Sequence, residues 1–161
     1  MPLSFQGFIS ANFPPPVVSF PGPPDGYLYV LFWNAGDTEV PFYVGQTNRL
    51  SGRIKDYCSA QFSACTDFRV GEAARYFIGT KRWRVVVKYR PSTDARQDEY
   101  NLIRELQLSG FRLLNDLLSY DYRVANVDSE RSAVQTFCEV MIKNFDLWSA
   151  DSLACKKEEG S

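Results

Sequence analysis

Five side chains between positions 29 and 99 are of types that could together cleave a phosphodiester bond. They are Tyr29, Tyr43, Arg53, Tyr57 and Glu99. Such cleavage needs an oriented water, positive charge beside the phosphate and a stabilised leaving oxygen. A guanidinium fork matches phosphate oxygens, and a carboxylate can hold a hard cation such as Mg²⁺ or Mn²⁺. This chemistry requires a fold that brings the five side chains together.

Two segments rich in aromatic and β-branched residues, 27–33 and 40–45, predict a β-hairpin joined by the turn-forming stretch 34–39. Side chains alternate across a strand, so Tyr29 shares a face with Tyr27, and Tyr43 can oppose Tyr29 across the ladder. The alternative interpretation of these tyrosines is ordinary cross-strand aromatic packing.

A helix follows the hairpin, with capping candidates at 46–48 and a stripe that ends in Arg53, Ile54 and Tyr57. Arg53 and Tyr57 are four residues apart and therefore share one helix face. A short helix is expected at 71–77.

A third strand is expected at 83–90, where Arg84, Lys88 and Arg90 share a face. We expect these three bases and Gln46 to bind phosphate, since positive potential would then gather near the site. The alternative is a solvated basic face balanced by acids elsewhere in the chain.

Asp94 and Gln97 form a capping-box pattern that opens a helix over 95–108, and Gly110 is placed to end it. Glu99 lies on the apolar face of this helix and is a candidate metal ligand, because burying it unpaired would be costly. The alternative is a hydrated glutamate in the first turn, favoured there by the helix dipole.

The order of these elements resembles the GIY-YIG nuclease superfamily. Tyr27-Leu28-Tyr29 stands in place of the first motif and Tyr43-Val44-Gly45 in place of the second. Arg53, Tyr57 and Glu99 then follow at the expected places, with Asn115 downstream. The resemblance implies a metal-dependent DNA endonuclease in which Glu99 is the sole protein ligand of Mg²⁺. It also implies that Tyr43 orients or deprotonates the water, that Tyr29 and Tyr57 hydrogen-bond to that water or to the scissile phosphate, and that Arg53 favours the phenolate.

The resemblance implies an α+β fold with a small antiparallel three-stranded sheet flanked by helices. We expect a proline-rich extended arm at 1–25, a nuclease-like core at 26–116 and a C-terminal helical extension at 117–161. Seven of the nine prolines lie within residues 1–24, which excludes a helix or a central strand there. A helix over 129–148 carries an apolar seam, which indicates core packing or a homodimer contact. A dimer through the arm is the other possibility.

The net charge of −1 conceals a strong segregation along the chain. Residues 49–96 carry eleven bases against four acids, whereas residues 97–161 carry seven bases against twelve acids. No signal peptide or membrane span is indicated, so we expect a cytoplasmic protein that contacts no membrane. The four cysteines form no Cys-x-x-Cys pair and the chain has no histidine, so an ordinary zinc site is not expected.

Two functions remain open from the sequence. The first is a DNA endonuclease that uses the tyrosine, arginine and glutamate site. The second is a catalytically inactive protein of the same fold that binds nucleic acid or acts as a scaffold. Retention of Arg53 and Glu99 with the three tyrosines favours the first, and the altered first motif favours the second.

Overall fold

The computed structural model describes residues 5–13, 26–59, 65–117 and 126–159, with side chains described as far as residue 146 in the last segment. It is an α+β fold built on a four-stranded antiparallel sheet with strand order β1-β4-β2-β3. The strands are β1 (Ile9–Phe13), β2 (Tyr27–Ala35), β3 (Thr38–Thr47) and β4 (Arg84–Pro91). The helices are α1 (Leu50–Ser59), α2 (Cys65–Arg75), α3 (Ala95–Leu108) and α4 (Val127–Glu159). A π-helical turn (Tyr76–Thr80) follows α2, and a 3-10 turn (Leu114–Asp116) follows α3.

The expected three-stranded sheet is wrong by one strand. Ile9–Phe13 pairs with β4 in the antiparallel register Ile9↔Tyr89 to Phe13↔Val85, so part of the proline-rich arm forms an edge strand. The prolines at 14–16 and 21–24 lie outside the described residues. An edge strand is compatible with prolines nearby, because one side of it needs no ladder partner.

The predicted hairpin is confirmed, with a shorter turn than expected. Ala35 pairs with Thr38, which leaves Gly36 and Asp37 as the connection. Gly36 adopts φ 66°, a left-handed conformation that costs glycine little. Strand β2 is central and is covered on both faces.

The two faces of the sheet carry different aromatic clusters. One face, here called the tyrosine face, buries Tyr29, Tyr43 and Tyr57 together with side chains of α2 and α4. The opposite face, here called the arm face, buries Leu28, Val30 and Phe32 under α3, Phe5 and Phe8. Alternation along β2 therefore sends successive side chains into two separate cores, as the sequence predicted.

Helix boundaries follow the predictions unevenly. Helix α3 begins and ends where expected, and the Asp94 side chain accepts a hydrogen bond from the Gln97 backbone N–H at 3.4 Å. Helix α2 begins six residues before the expected 71, and α4 runs beyond 148. The first part of the α4 seam, Val134, Cys138 and Met141, is buried in the tyrosine-face core of the same chain. No helix in the described ranges is long and apolar enough to cross a membrane.

Two buried arginine and glutamate contacts hold α4 against α2. The Arg69 guanidinium donates to Glu130 at 3.0 Å and to the Leu117 carbonyl at 2.7 Å. Glu72 is buried and accepts from Arg75 at 2.8 Å and from Arg131 at 3.3 Å. Charges this far from water need such partners, so the ion pairs fix how α4 lies on the core.

Candidate active site at the edge of strand β3

Three tyrosine side chains form a triangle under strand β3. The ring centroids of Tyr29 and Tyr43 are 6.2 Å apart, those of Tyr43 and Tyr57 are 6.2 Å apart, and those of Tyr29 and Tyr57 are 6.5 Å apart. The Tyr29 and Tyr57 hydroxyls are joined by a hydrogen bond. Helix α1 supplies Tyr57 from the stripe that also buries Leu50 and Ile54. The predicted opposition of Tyr29 and Tyr43 is diagonal, since Tyr29 pairs directly with Gly45.

Gly45 is required by the position of Tyr29. A Cβ atom at Gly45 would overlap the ring and hydroxyl of Tyr29. Tyr29 is only 1% exposed and is bonded to Tyr57, so its ring has no free volume into which it could move. The glycine that ends the Tyr-Val-Gly motif is therefore explained by packing.

Arg53 lies at the rim of the tyrosine triangle. Its guanidinium is 5.7 Å from the centroid of the Tyr57 ring and forms an ion pair with Asp67 at 3.2 Å. The side chain remains 34% exposed, so it can reach a ligand from solvent. Burial acts to lower the pKa of Arg53, but Tyr57, Tyr29 and Asp67 outweigh it and raise the pKa above its ordinary value. The guanidinium is permanently charged.

Asp67 is a neighbour that the sequence analysis missed. It lies in the first turn of α2, which begins earlier than predicted, and its carboxylate contacts Arg53. Burial raises the pKa of Asp67, Arg53 opposes that rise, and Asp56 adds to it. The sequence offers an acid in the first turn of a longer α2 as a signal for Asp67. No pattern in the neighbouring residues indicates that this acid faces Arg53.

Glu99 approaches the same edge from the opposite face of the sheet. It is the fifth residue of α3, just after the first turn, and is half-buried. Burial raises the pKa of Glu99, whereas Arg96, a hydrogen bond with the Gln46 backbone and Arg53 lower it. Glu99 in turn acts electrostatically on Tyr43. Glu99 and Arg53 therefore act electrostatically on the same phenol, Tyr43, and on each other.

Asn115 closes the ladder at this edge. Its side-chain oxygen accepts from the Val44 backbone N–H at 3.0 Å, and its amide nitrogen donates to the Val44 carbonyl at 2.8 Å. The side chain of Asn115 thus imitates a neighbouring strand for one residue. It holds the 3-10 turn against the Tyr43-Val44-Gly45 motif.

The tyrosines are held in the neutral form. Burial raises the pKa of Tyr43, and it raises the pKa values of Tyr29 and Tyr57 well above the ordinary range. Arg53 lowers all three but does not overcome the burial. Arg53 thus acts in the expected direction, toward the phenolate, but burial outweighs it. Each hydroxyl therefore keeps its proton at neutral pH, and one of the Tyr29 and Tyr57 hydroxyls donates to the other.

The predicted phosphate-binding residues of β4 lie elsewhere. Register pairs Arg84 with Asn34, Lys88 with Val30 and Arg90 with Leu28, which places these bases on the arm face, opposite the tyrosines. Lys88 forms an ion pair with Glu39 at 2.7 Å and lies over the rings of Phe5 and Phe32.

Arg90 pairs with Asp98 at 3.2 Å and lies over the Phe8 ring. The bases that were expected to create positive potential beside the tyrosines therefore contact the arm instead. Gln46 also points toward the arm face, because it pairs with Leu28, and only its backbone meets Glu99.

The donor set at this edge fits a hard divalent cation held by one carboxylate. Glu99 is half-buried, ionisable and beside the Gln46 backbone. In the described part of the chain, no group of three or more His, Cys, Asp or Glu side chains is placed to hold a metal. Waters and a substrate phosphate would therefore supply the remaining oxygen ligands, as Mg²⁺ commonly accepts.

The chain matches no family model, and no curated protein or solved structure is significantly similar to it.

Proposed function

We propose that this protein is a metal-dependent endonuclease that hydrolyses DNA phosphodiester bonds at the edge of β3. The observation that carries the proposal is the meeting of Arg53, Glu99 and the tyrosine triangle, which come from four separate elements. Packing alone explains buried tyrosines, but it does not call for a part-exposed arginine and a half-buried glutamate beside them. The proposal agrees with the resemblance to the GIY-YIG superfamily.

Arg53 is assigned to the non-bridging oxygens of the scissile phosphate. Its guanidinium is part-exposed, charged and held from behind by Asp67 at 3.2 Å. A planar fork positioned in this way binds phosphate with little reorganisation. Because negative charge grows on these oxygens in the transition state, Arg53 would bind the transition state more tightly than the substrate.

Tyr43 is assigned to orient the attacking water. Its hydroxyl is neutral, and Glu99 acts on it electrostatically. A neutral phenol can accept one hydrogen bond from water and donate another, but it is a poor base at neutral pH. Of the two roles expected for Tyr43, orientation is thus favoured over deprotonation.

Tyr29 and Tyr57 are assigned to position Tyr43 and Arg53 rather than to touch the substrate. Both are at most 1% exposed, and their hydroxyls are bonded to each other. Glu99 is assigned to hold the cation. A bound Mg²⁺ or Mn²⁺ would supply positive charge next to the leaving oxygen.

The proposal is tested by cleavage of supercoiled plasmid and of branched and linear oligonucleotide duplexes in the presence of Mg²⁺. We expect Arg53→Ala to lower cleavage by at least ~10²-fold, the scale on which one electrostatic stabiliser acts. Lys55→Ala is the matched control, because Lys55 is an exposed base on the same helix. Equal cleavage by wild type and Arg53→Ala would reject the assignment.

A non-catalytic nucleic-acid-binding or scaffold protein is the second candidate. The burial and raised pKa values of Tyr29 and Tyr57 favour it, because they keep two phenols away from substrate. Binding with a steep salt dependence, but without Mg²⁺-dependent cleavage of any of these substrates, would select this alternative.

A further inference from the structure

The outward face of α3 carries an aromatic residue between two arginines. Arg96, Tyr100 and Arg104 are spaced four apart and are all exposed, with Tyr100 at 59%. Residues at this spacing lie one above another, so the three form a stripe about 12 Å long on the helix. We call it the α3 stripe. In the described part of the chain, neither arginine lies within ion-pair distance of a carboxylate.

Charge is segregated around α3. At about 100° per residue, the α3 stripe and Gln107 fall within one quadrant of the helix, which contains no acid. Asp98 and Glu105 lie on the far flank, and Asp98 is already bonded to Arg90 and Ser92. An anionic partner approaching the stripe would therefore meet two cations and an aromatic ring, with Glu99 near Arg96 and Asp116 bonded to Gln107 at its borders.

The α3 stripe lies on the side of the helix that borders the candidate active site. Gln107 donates to Asp116 at 2.6 Å, and the adjacent Asn115 is bonded to Val44 of β3. These contacts place this flank of α3 along the β3 edge. Arg96 also acts electrostatically on Glu99, so the stripe begins beside the proposed cation ligand.

We propose that the α3 stripe binds a single-stranded nucleic acid segment next to the scissile phosphate, with Tyr100 stacking on an unpaired base. This inference rests on the proposed function and extends it to a substrate class, DNA that carries unpaired nucleotides beside the cleavage point. Exposed aromatic rings that alternate with basic side chains suit single-stranded nucleic acids. Every nucleobase has a π-face that can stack on an aromatic ring, and the phosphate backbone carries the negative charge that the basic side chains bind. In a continuous duplex the bases are stacked on each other and cannot reach Tyr100.

The inference is tested by fluorescence anisotropy in EDTA, so that metal-dependent cleavage plays no part. The probes are a fluorescein-labelled single strand of mixed sequence and the duplex of the same sequence. We expect Tyr100→Ala to weaken single-strand binding by ~10-fold, within the range for loss of one stacking contact, and Tyr100→Trp to restore it. Val140→Ala is the control, since Val140 is an exposed hydrophobic residue, 42% exposed, on α4 and therefore outside the stripe.

The two arginines are tested by the salt dependence of binding. We expect Arg96→Ala and Arg104→Ala each to reduce the slope of log K against log salt by about 0.7, the value for one phosphate contact on a single strand. Glu105→Gln, which changes a charge on the far flank, is expected to leave the slope unchanged. Unchanged slopes for both arginine variants would remove the stripe from the binding surface.

Two further outcomes separate this inference from the proposed endonuclease. If the protein cleaves DNA but Tyr100→Ala binds single strands as tightly as wild type, the inference is overturned while the proposed function stands. If Tyr100→Ala weakens single-strand binding and the wild type cleaves no substrate, the proposed function fails and the stripe stands as a binding surface.

Discussion

The two faces of the sheet use similar residues for different ends. On the arm face, the basic side chains Lys88 and Arg90 are neutralised by Glu39 and Asp98 and are covered by Phe5 and Phe8. On the tyrosine face, Arg53 is also paired with a carboxylate and is 34% exposed, as Arg90 is, but its guanidinium lies beside neutral phenols instead of under the arm. A basic residue is thus no guide to function until the side chains around it are known.

This difference indicates which part of the sheet can hold a reactive site. Both faces are largely packed, so ionisable groups can remain reachable at a sheet edge, where β3 has no neighbouring strand among the described residues. Glu99 reaches that edge from the arm face and Arg53 reaches it from the tyrosine face. Asn115 closes the ladder at Val44, so the edge is protected from pairing with another strand at that point.

The largest effect is expected from Gly45→Ala, which disrupts side-chain packing on the tyrosine face. The added methyl group would overlap the Tyr29 ring, and overpacking of this kind typically costs about 1–3 kcal/mol of unfolding free energy. We expect a lower melting temperature and a loss of cleavage together. Gly79→Ala is the matched control, since a Cβ there meets nothing within 4 Å. A Gly45→Ala variant as stable as wild type would show that Tyr29 is not fixed in place.

Alkaline pH should act on the tyrosine face in particular. The raised pKa values of Tyr29, Tyr43 and Tyr57 mean that these phenols ionise more readily in the unfolded chain. The stability they contribute is therefore complete below about pH 10, the ordinary tyrosine pKa. It falls as pH rises further, by up to about 1.4 kcal/mol per pH unit for each phenol.

The measurement is the melting temperature across pH 9 to 11 (~one unit either side of the ordinary tyrosine value). Tyr57→Phe should flatten the alkaline decline by the share of one phenol. Tyr100→Phe, which removes an exposed hydroxyl, should leave it unchanged. The same decline in both variants would contradict the neutral, buried state of Tyr57.

The smallest effect is expected on the arm face. Lys88→Ala removes an ion pair with Glu39 and contacts with the rings of Phe5 and Phe32. Partly exposed pairs of this kind contribute about 1 kcal/mol or less, so we expect a small loss of stability. Cleavage per folded molecule should change by less than ~2-fold, because the ion pair contributes little free energy and lies on the arm face, opposite the candidate active site. A large loss of cleavage in a stable Lys88→Ala variant would instead support the phosphate-binding role predicted from the sequence.

Local patterns in the sequence predicted the elements that hold the candidate site. Alternation along 27–33 predicted which face carries Tyr29, and the Asp94 cap predicted where α3 begins and hence that Glu99 lies near its start. Both signals act over a few residues, and packing did not override them.

What the sequence could not indicate depends on distant contacts. Strand β1 has only five residues, and its pairing with β4 joins segments 72 to 80 residues apart, from Phe13↔Val85 to Ile9↔Tyr89. The shared face of Arg84, Lys88 and Arg90 was evident, but alternation does not say which side of the sheet that face takes. The ion-pair partner of Arg53 could not be predicted either, since Asp67 belongs to another helix.

The central claim is that Glu99 and Arg53 act on one phosphate at the β3 edge, and its most direct test is Mg²⁺-dependent cleavage by Glu99→Gln. Glu105→Gln, an exposed change on the same helix, is the control. We predict that Glu99→Gln binds DNA in EDTA as wild type does, but cleaves at least ~10²-fold more slowly, while Glu105→Gln cleaves normally. Undiminished cleavage by a folded Glu99→Gln variant would contradict the claim.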